Sequence, residues 1–410
     1  MKIDKKHLLN YSILIPYLIL SVLGLIVVYS TTSPTSIQAG GNGFGMVLNQ
    51  GIFWVISLFI IALLYRIRLG FLKKGGILTI VIFAEIILLL LSRFITGTIN
   101  GAHGWLKLGA FSIQPAEYLK IILVWYLAFR FTKRQEEIKV YDYQALTHNH
   151  WFPKAFNDWR TMVAILIGIV AIMPDLGNAT ILFLTVVIMI AVSGIGYRWF
   201  STMLGAIVSV SSLVLASIWV IGVERVAKIP VFGYVAKRFS AFFNPFKDLS
   251  GSGHQLANSY YAMSNGGWFG LGLGNSIEKR GYLPEAHTDF VFSIVIEEFG
   301  FFGASLILAL LFFLILRIIL VGIRAKNPFN SMMALGIGGM ILMQTFINIG
   351  GISGLIPSTG VTFPFLSQGG NSLLVLSVAI ALVLNIDANE RRDALYEQME
   401  AEAQDQSEEA

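Results

Sequence analysis

The chain contains no cysteine among its 410 residues. Disulfide bonds, thiolate catalysis and cysteine-ligated zinc sites are therefore excluded. Charged residues are also scarce, at 13% of the sequence, whereas a soluble domain averages about 25%. With 55% hydrophobic residues and a mean hydropathy of +0.71, the composition predicts an integral membrane protein.

Long apolar runs recur along the chain, and each predicts a membrane helix. They lie near 11–30, 49–67, 76–94, 114–132, 161–174, 177–195, 199–222, 289–316, 331–350 and 370–386. The run at 161–174 is short, because a spanning helix needs about 20 residues. No A-x-A cleavage site follows the first run, which we interpret as an uncleaved signal anchor. The predicted fold is an all-α integral membrane protein with about ten transmembrane helices.

The positions of the basic residues predict the orientation of these helices. Ten spans place both termini on one side, and with that side cytoplasmic the inner segments hold 19 of the 29 Lys and Arg residues. The outer loops 31–48 and 351–369 hold none. By the positive-inside rule both termini are predicted to be cytoplasmic, and the long loop 223–288 extracellular. This topology also explains the net charge of +5 without an acidic partner.

One polytopic transmembrane domain, residues 1–386, is predicted, followed by a cytoplasmic tail at 387–410. The tail carries nine acidic and two basic residues, a pattern typical of a frayed or disordered helix. The inner loop contains His148-Asn149-His150, which we interpret as solvated loop rather than a metal site.

Three outer segments interrupt the apolar pattern with polar, Gly- and Pro-rich sequence. They are 100–120, the long loop 223–288, and 348–372. Irregular backbone at membrane depth survives only where it is buried in protein or lines a watered cavity. We therefore predict that the three segments converge around one outward-facing cavity.

Asp289 follows the long loop, at the point where the next apolar run begins. The pattern places it in the first turn of a helix starting near Thr288, where the helix N-terminus would stabilise an acid. The neighbouring Glu285 and His287 favour a chemical role over this purely structural one. A carboxylate at a water–lipid boundary can accept a proton at neutral pH if desolvation raises its pKa.

Glu117 and Lys120 are three residues apart and share one face of a helix that begins at Pro115. A charge within a membrane span is costly, so the two are predicted to form either a cavity-facing pair or a structural ion pair. Glu297 lies about 12 Å along the helix from Asp289 and is expected, with Glu298, to support packing. Structural pairing is likewise expected for the intramembrane acids Glu85 and Asp175. Trp105 and Trp268 suit either a membrane belt or stacking on a sugar.

Five motifs, taken together, resemble the signature of the SEDS family (shape, elongation, division and sporulation). They are Asn100-Gly-Ala…Trp105, Gln114-Pro-Ala-Glu117…Lys120, Pro174-Asp-Leu-Gly177, Tyr282-Leu-Pro-Glu-Ala-His-Thr-Asp-Phe-Val-Phe with Glu297-Glu298-Phe-Gly300, and the segment ending Gly369-Gly370-Asn371-Ser372. The resemblance spans roughly residues 10–390. It is closer to division-type than to elongation-type members. Met173, His254 and Asn371 depart from the residues usual in the family, which bears on fine substrate contacts.

The resemblance implies a peptidoglycan glycosyltransferase that polymerises lipid II at the outer face of the bacterial plasma membrane, at the division septum. Its implied partners are undecaprenyl-diphosphate-linked glycan, a class b penicillin-binding protein transpeptidase, other division proteins and membrane lipid, with no nucleic acid. A divalent cation, Mg²⁺ or Mn²⁺, is a candidate cofactor with no identified ligands. Asp289 is the implied catalytic carboxylate. The expected substrate-binding residues are Glu117, Lys120, Trp105, His287, Lys279, Arg280, Ser367 and Asn371.

Two other functions fit the same pattern. A lipid II flippase would also use a polar cavity with buried Glu and Lys, but its polar residues should run through the full membrane depth, whereas these crowd toward the outer leaflet. A non-catalytic scaffold of the division apparatus would be insensitive, in activity, to substitution of Asp289.

Overall fold

The computed structural model describes residues 5–38, 40–94, 104–108, 111–147, 158–222, 225, 233–249, 251 and 253–408. Helices dominate these residues. They are α1 Tyr11–Gln38, α2 Gly45–Arg66, α3 Gly75–Phe94, α4 Pro115–Thr132, α5 Gln135–Tyr141, α6 Tyr143–Thr147, α7 Trp159–Ile172, α8 Leu176–Val192, α9 Tyr197–Ile221, α10 Gly233–Phe243, α11 His254–Gly266, α12 Val291–Arg324, α13 Pro328–Ile352 and α14 Gly370–Glu408. Strands β1 Leu106–Leu108 and β2 Phe111–Ile113 form a short antiparallel hairpin before α4. His148, His150 and Asn100 lie outside the described residues.

The predicted helical membrane fold is confirmed. Among the described residues, seven helices are long and apolar enough to cross a membrane, namely α1, α2, α3, α9, α12, α13 and α14. The runs at 114–132, 161–174 and 177–195 coincide with α4, α7 and α8. Each predicted run thus corresponds to one helix, while the number of spans and their orientation stay predictions.

The two ends of the transmembrane region meet at one end of the helix bundle. Lys5 Nζ donates to Asn385 Oδ1 at 2.7 Å, and Asn10 Nδ2 donates to Asp387 Oδ2 at 2.9 Å. This contact agrees with the prediction that both termini lie on one side. The last helix does not end at residue 386 but continues as helix to Glu408.

Helix α13 occupies the centre of the bundle and packs against α4, α8, α12 and α14. Its glycines allow this close approach. A Cβ at Gly336 would lie 2.5 Å from Met189 Sδ and 2.7 Å from Val124 Cγ1, and one at Gly339 would lie 2.7 Å from Ile188. Small residues at such positions let membrane helices approach backbone to backbone. Helix α9 is the opposite case, with no buried residue along its length.

Helix α12 is interrupted at Gly300, whose φ of 69° lies in the left-handed region. The loop after α11 pairs with the opened backbone: Phe301 N donates to Gly267 O at 2.9 Å, and Gly272 N donates to Glu298 O at 3.0 Å. A Cβ at Gly270 would lie 2.2 Å from Glu298 O, so only glycine fits there. The end of the long loop is therefore attached to α12 through main-chain bonds.

Candidate functional site

The three polar segments meet, as the sequence predicts. Ser367 Oγ donates to Thr288 O at 2.7 Å, and the Gln368 N–H donates to His287 O at 2.8 Å. Asn371 Nδ2 donates to Ser112 O at 2.7 Å, which ties the third segment to β2. The contact between the segments is thus confirmed within the described residues, whereas a shared, outward-facing cavity stays a prediction.

Asp289 lies at this meeting point, but not in a helix. Helix α12 begins at Val291 with Phe290 as its N-cap, so the prediction of Asp289 in the first turn is wrong. The preceding residues form turns instead, in which Thr288 Oγ1 donates to Glu285 Oε2 at 2.8 Å. Stabilisation within a first helical turn therefore does not account for this carboxylate.

A small cavity adjoins Asp289, with about 210 Å³ of empty space including its opening. It is lined by Asp289, Phe290, Ile347, Asn348, Gly351, Ile352 and Ser358, Thr359, Gly360 and Val361. Asp289 is half-buried and lines this cavity together with residues 358–361 of the third polar segment.

Burial raises the pKa of Asp289 to about 7, while Arg238 lowers it and Glu285 and Asp175 raise it further. Such a carboxyl exchanges its proton at neutral pH, as a general base must. Burial also lowers the pKa of His287, with Glu285 acting in the opposite direction, so this imidazole favours its neutral form.

Arg238, on α10, is the cation that acts on Asp289, and the sequence analysis missed it. Its Nη1 donates to the Ser358 carbonyl. A Cβ placed on Gly360 would lie 3.2 Å from Asp289 Oδ2 and 3.3 Å from Arg238 Nη2. Carboxylate and guanidinium therefore both border Gly360, whose φ of +77° also suits only glycine.

Two amides on α13, one turn apart, hold the third segment in place, and both were missed. Gln344 Nε2 donates to Thr362 O at 3.0 Å. Asn348 Nδ2 donates to Val361 O at 2.6 Å and to Asp289 O at 2.7 Å. Asn348 thus ties the backbone of the carboxylate to the cavity wall. Polar amides on a glycine-rich apolar helix were the signal available in the sequence.

Glu117 and Lys120 form an ion pair of 2.8 Å with side chains 7% and 1% exposed. Lys120 Nζ also donates to Gln344 Oε1 at 3.3 Å, so the pair connects to the Asp289 region through α13. It is enclosed between helices rather than lining an open cavity, and it does not contact Asp289 directly.

Lys279 is held in a second buried ion pair, 2.5 Å from Glu298 Oε1, and also donates to Ser30 Oγ at 2.8 Å. Its ammonium therefore contacts α1 and α12 rather than Asp289. Glu297 accepts from Ile277 N and Asn265 Nδ2, both at 3.1 Å. The packing role expected for Glu297 and Glu298 is confirmed.

The remaining predicted residues have different settings. Arg280 is exposed at the end of a 3₁₀ turn, Glu278–Arg280. Trp105 is half-buried before β1. Ser367 and Asn371 bind other segments of the chain, as described above, and Asn371 Oδ1 accepts from Tyr118 Oη at 3.3 Å. Trp268 is exposed and packs edge-to-face against Phe301, with ring centroids 5.4 Å apart.

The part of the chain that the structure describes contains no cluster of metal ligands. No three His, Cys, Asp or Glu side chains there come close enough together to hold a metal ion.

Comparison with known proteins gives consistent similarities. The FtsW/RodA/SpoVE family model, described as "Cell cycle protein", matches residues 11–392. A probable peptidoglycan glycosyltransferase FtsW of Lactococcus lactis subsp. lactis (strain IL1403) is 48% identical over 97% of this chain and 96% of its own length. A protein of the same name from Bacillus subtilis (strain 168) is 37% identical over 92% of this chain and 90% of its own.

Solved structures share the fold. A chain of a peptidoglycan synthase complex in which polymerization and crosslinking are structurally coordinated superposes with a TM-score of 0.71, at 23% identity, over 93% of this chain and 98% of that one. The rod shape determining protein RodA of Thermus thermophilus gives a TM-score of 0.63 at 21% identity, over 93% and 97% of the two chains.

Proposed function

This chain belongs to the FtsW/RodA/SpoVE family of cell cycle proteins, and on that premise we propose that it is a division-type peptidoglycan glycosyltransferase that polymerises lipid II. The observation that carries the proposal is the Asp289 carboxylate: Asp289 lines a cavity, its pKa is raised to about 7, and Arg238 lies close to it at Gly360. The proposed place of action is the outer face of the bacterial plasma membrane at the division septum.

In the proposed reaction, the C4 hydroxyl of the incoming lipid II GlcNAc attacks C1 of the MurNAc at the reducing end of the growing chain. Asp289 takes the hydroxyl proton as the new C–O bond forms. The bond from C1 to the diphosphate oxygen breaks, and undecaprenyl diphosphate leaves with the electron pair. A single inversion converts the α-linked donor into a β-linked glycan, so no covalent glycosyl-enzyme is needed.

One carboxylate suffices for this chemistry. Glycoside hydrolases use two because an alkoxide leaving group has to be protonated. A diphosphate leaves without a proton, provided that cations stabilise its developing charge. Lys120 and Lys279 are each held in a buried ion pair away from Asp289, whereas the Arg238 guanidinium and the Asp289 carboxylate both border Gly360. We therefore assign the stabilisation of the leaving diphosphate to Arg238.

The proposed working partner is a class b penicillin-binding protein transpeptidase, within the group of division proteins. Two observations support this: the FtsW names of the relatives, and the likeness in fold to a chain of a synthase complex that polymerises and crosslinks. Coupling of the two activities would place new strands where they are crosslinked.

Polymerisation of purified lipid II by the detergent-solubilised protein tests the proposal, with and without the partner and with and without chelator. We expect the wild type to make glycan strands and Asp289→Asn to fold normally but to make none. Asp175→Asn, an acid that also influences Asp289, is the control and should retain activity. Normal strands from Asp289→Asn would refute the base. Transport of lipid II without strand formation would favour a flippase. Activity that is unchanged by substitution of Asp289 would favour a non-catalytic scaffold.

A further inference from the structure

Asn348 carries an unused hydrogen-bond acceptor and lies in the wall of the cavity that Asp289 also lines. The residue is 3% exposed. Its Nδ2 has two partners, the carbonyls of Asp289 and Val361, but its Oδ1 is buried and has no hydrogen-bond partner among the residues that the structure describes.

Chemistry fixes the orientation of this amide. Both neighbours of Nδ2 are carbonyl oxygens, which only accept hydrogen bonds. Rotating the amide by a half turn would bring Oδ1 against two carbonyl oxygens and lose both bonds. The oxygen is therefore held in place, unpaired, and a buried acceptor without a donor is unfavourable. A ligand that brings a donor into the cavity relieves this.

The proposed reaction supplies such a donor. The proton of the attacking C4 hydroxyl goes to Asp289, so that hydroxyl is not available to Asn348. The hydroxyls beside it on the same ring, at C3 and C6, are donors that approach the cavity together with C4. Building on the proposed function, we propose that Asn348 Oδ1 accepts a hydrogen bond from one of these two hydroxyls and so orients the acceptor sugar toward Asp289.

The arrangement gives one side chain two tasks. Its nitrogen holds the main chain of the base, and its oxygen holds the ring that carries the nucleophile. Both are fixed to the same turn of α13, so the hydroxyl and the carboxylate are positioned by one rigid group. Precise orientation of reacting groups lowers the activation free energy of the reaction.

A coupling assay with modified acceptors tests the contact. The donor is a labelled lipid II whose GlcNAc C4 hydroxyl is blocked, so that it cannot act as acceptor. The acceptor is lipid II, or its 3-deoxy or 6-deoxy GlcNAc analogue, and the labelled product of one transfer is measured. In the wild type one analogue should react about five- to tenfold more slowly than lipid II, the range expected for one hydrogen bond.

In Asn348→Ala this penalty should vanish, because the partner of the missing hydroxyl is gone. Asn348→Gln keeps both the acceptor oxygen and the NH₂ donor, so it should retain the penalty even if its overall rate falls; it decides the matter if the alanine variant does not fold. Gln50→Ala is the matched control. Gln50 also secures the third polar segment, accepting from the Gly369 N–H at 3.2 Å, but does not line this cavity. The penalty should persist in that variant.

The inference is overturned by an absent penalty for both analogues in the wild type, by an equal penalty in the wild type and Asn348→Ala, or by no penalty in Asn348→Gln. This outcome differs from failure of the proposed function. If the wild type makes no product from lipid II, or Asp289→Asn is as active as the wild type, the proposed function itself fails.

Discussion

Lys279 and Glu298 form an ion pair of 2.5 Å in which each side chain is only 1% exposed. The pair joins the end of the long loop to α12, and Ser30 on α1 contacts both partners. Lys279 is a predicted substrate-binding residue on sequence grounds, and in this setting its ammonium also has a structural role.

Removal of one partner should therefore destabilise the protein more than removal of both. Lys279→Met leaves a buried carboxylate without a counter-charge, at a cost of about 3–5 kcal/mol, whereas Lys279→Met with Glu298→Met leaves two apolar side chains. Thermal unfolding in detergent measures both, and Lys326→Met, whose pair with Glu397 is exposed, is the control. A double variant no more stable than the single one would contradict this role.

Arg238→Gln should slow polymerisation by about 10²-fold, because the loss of one stabilising group at a developing charge has about that effect. Arg238→Lys should recover part of the rate. Arg324→Gln, an exposed arginine at the far end of α12, is the control. The rates of strand formation by the three variants test this role. A normal rate for Arg238→Gln would exclude Arg238 as the group that stabilises the leaving diphosphate.

The pH dependence of activity should report the ionisation of Asp289. A base acts in its ionised form, so with a pKa of about 7 the rate should fall as the pH drops below neutrality. Arg238 lowers this pKa and Glu285 raises it. Arg238→Gln should therefore move the acid limb of the profile to higher pH, and Glu285→Gln should move it to lower pH. Initial rates across neutral pH measure the limb, and an identical limb in all three proteins would argue against Asp289 as the titrating group.

Gly360→Ala should abolish most activity. The added Cβ would approach both Asp289 Oδ2 and Arg238 Nη2 closely. The substitution also strains the backbone, by about 1–3 kcal/mol, because the φ of Gly360 is positive. Gly274→Ala is the control, since Gly274 also has a positive φ but no atom lies within 4 Å of the added Cβ. Similar melting temperatures with activity lost only in Gly360→Ala would separate crowding of the site from strain, and equal activity losses would mean that strain alone is responsible.

The sequence was sufficient to predict the helices, because spanning length and apolar composition are local properties. It also singled out Asp289, whose role as the base stays a prediction. It could not reveal which groups Arg238 and Asn348 contact, since these contacts join segments that are 120 and 59 positions apart and depend on how the helices pack. The start of α12 was misplaced for the same reason. The turn at Thr288 is held by contacts from Ser367 and Gln368, which no local pattern records.

The main-chain pairing around Gly300 has a mechanical consequence. Because residues 267–272 are bonded to the interrupted part of α12, this part of the loop and the helix have to move as a single body. Separating this part of the loop from the helix would break several main-chain hydrogen bonds at once, so residues 267–272 cannot shift by themselves without opening α12 around Gly300.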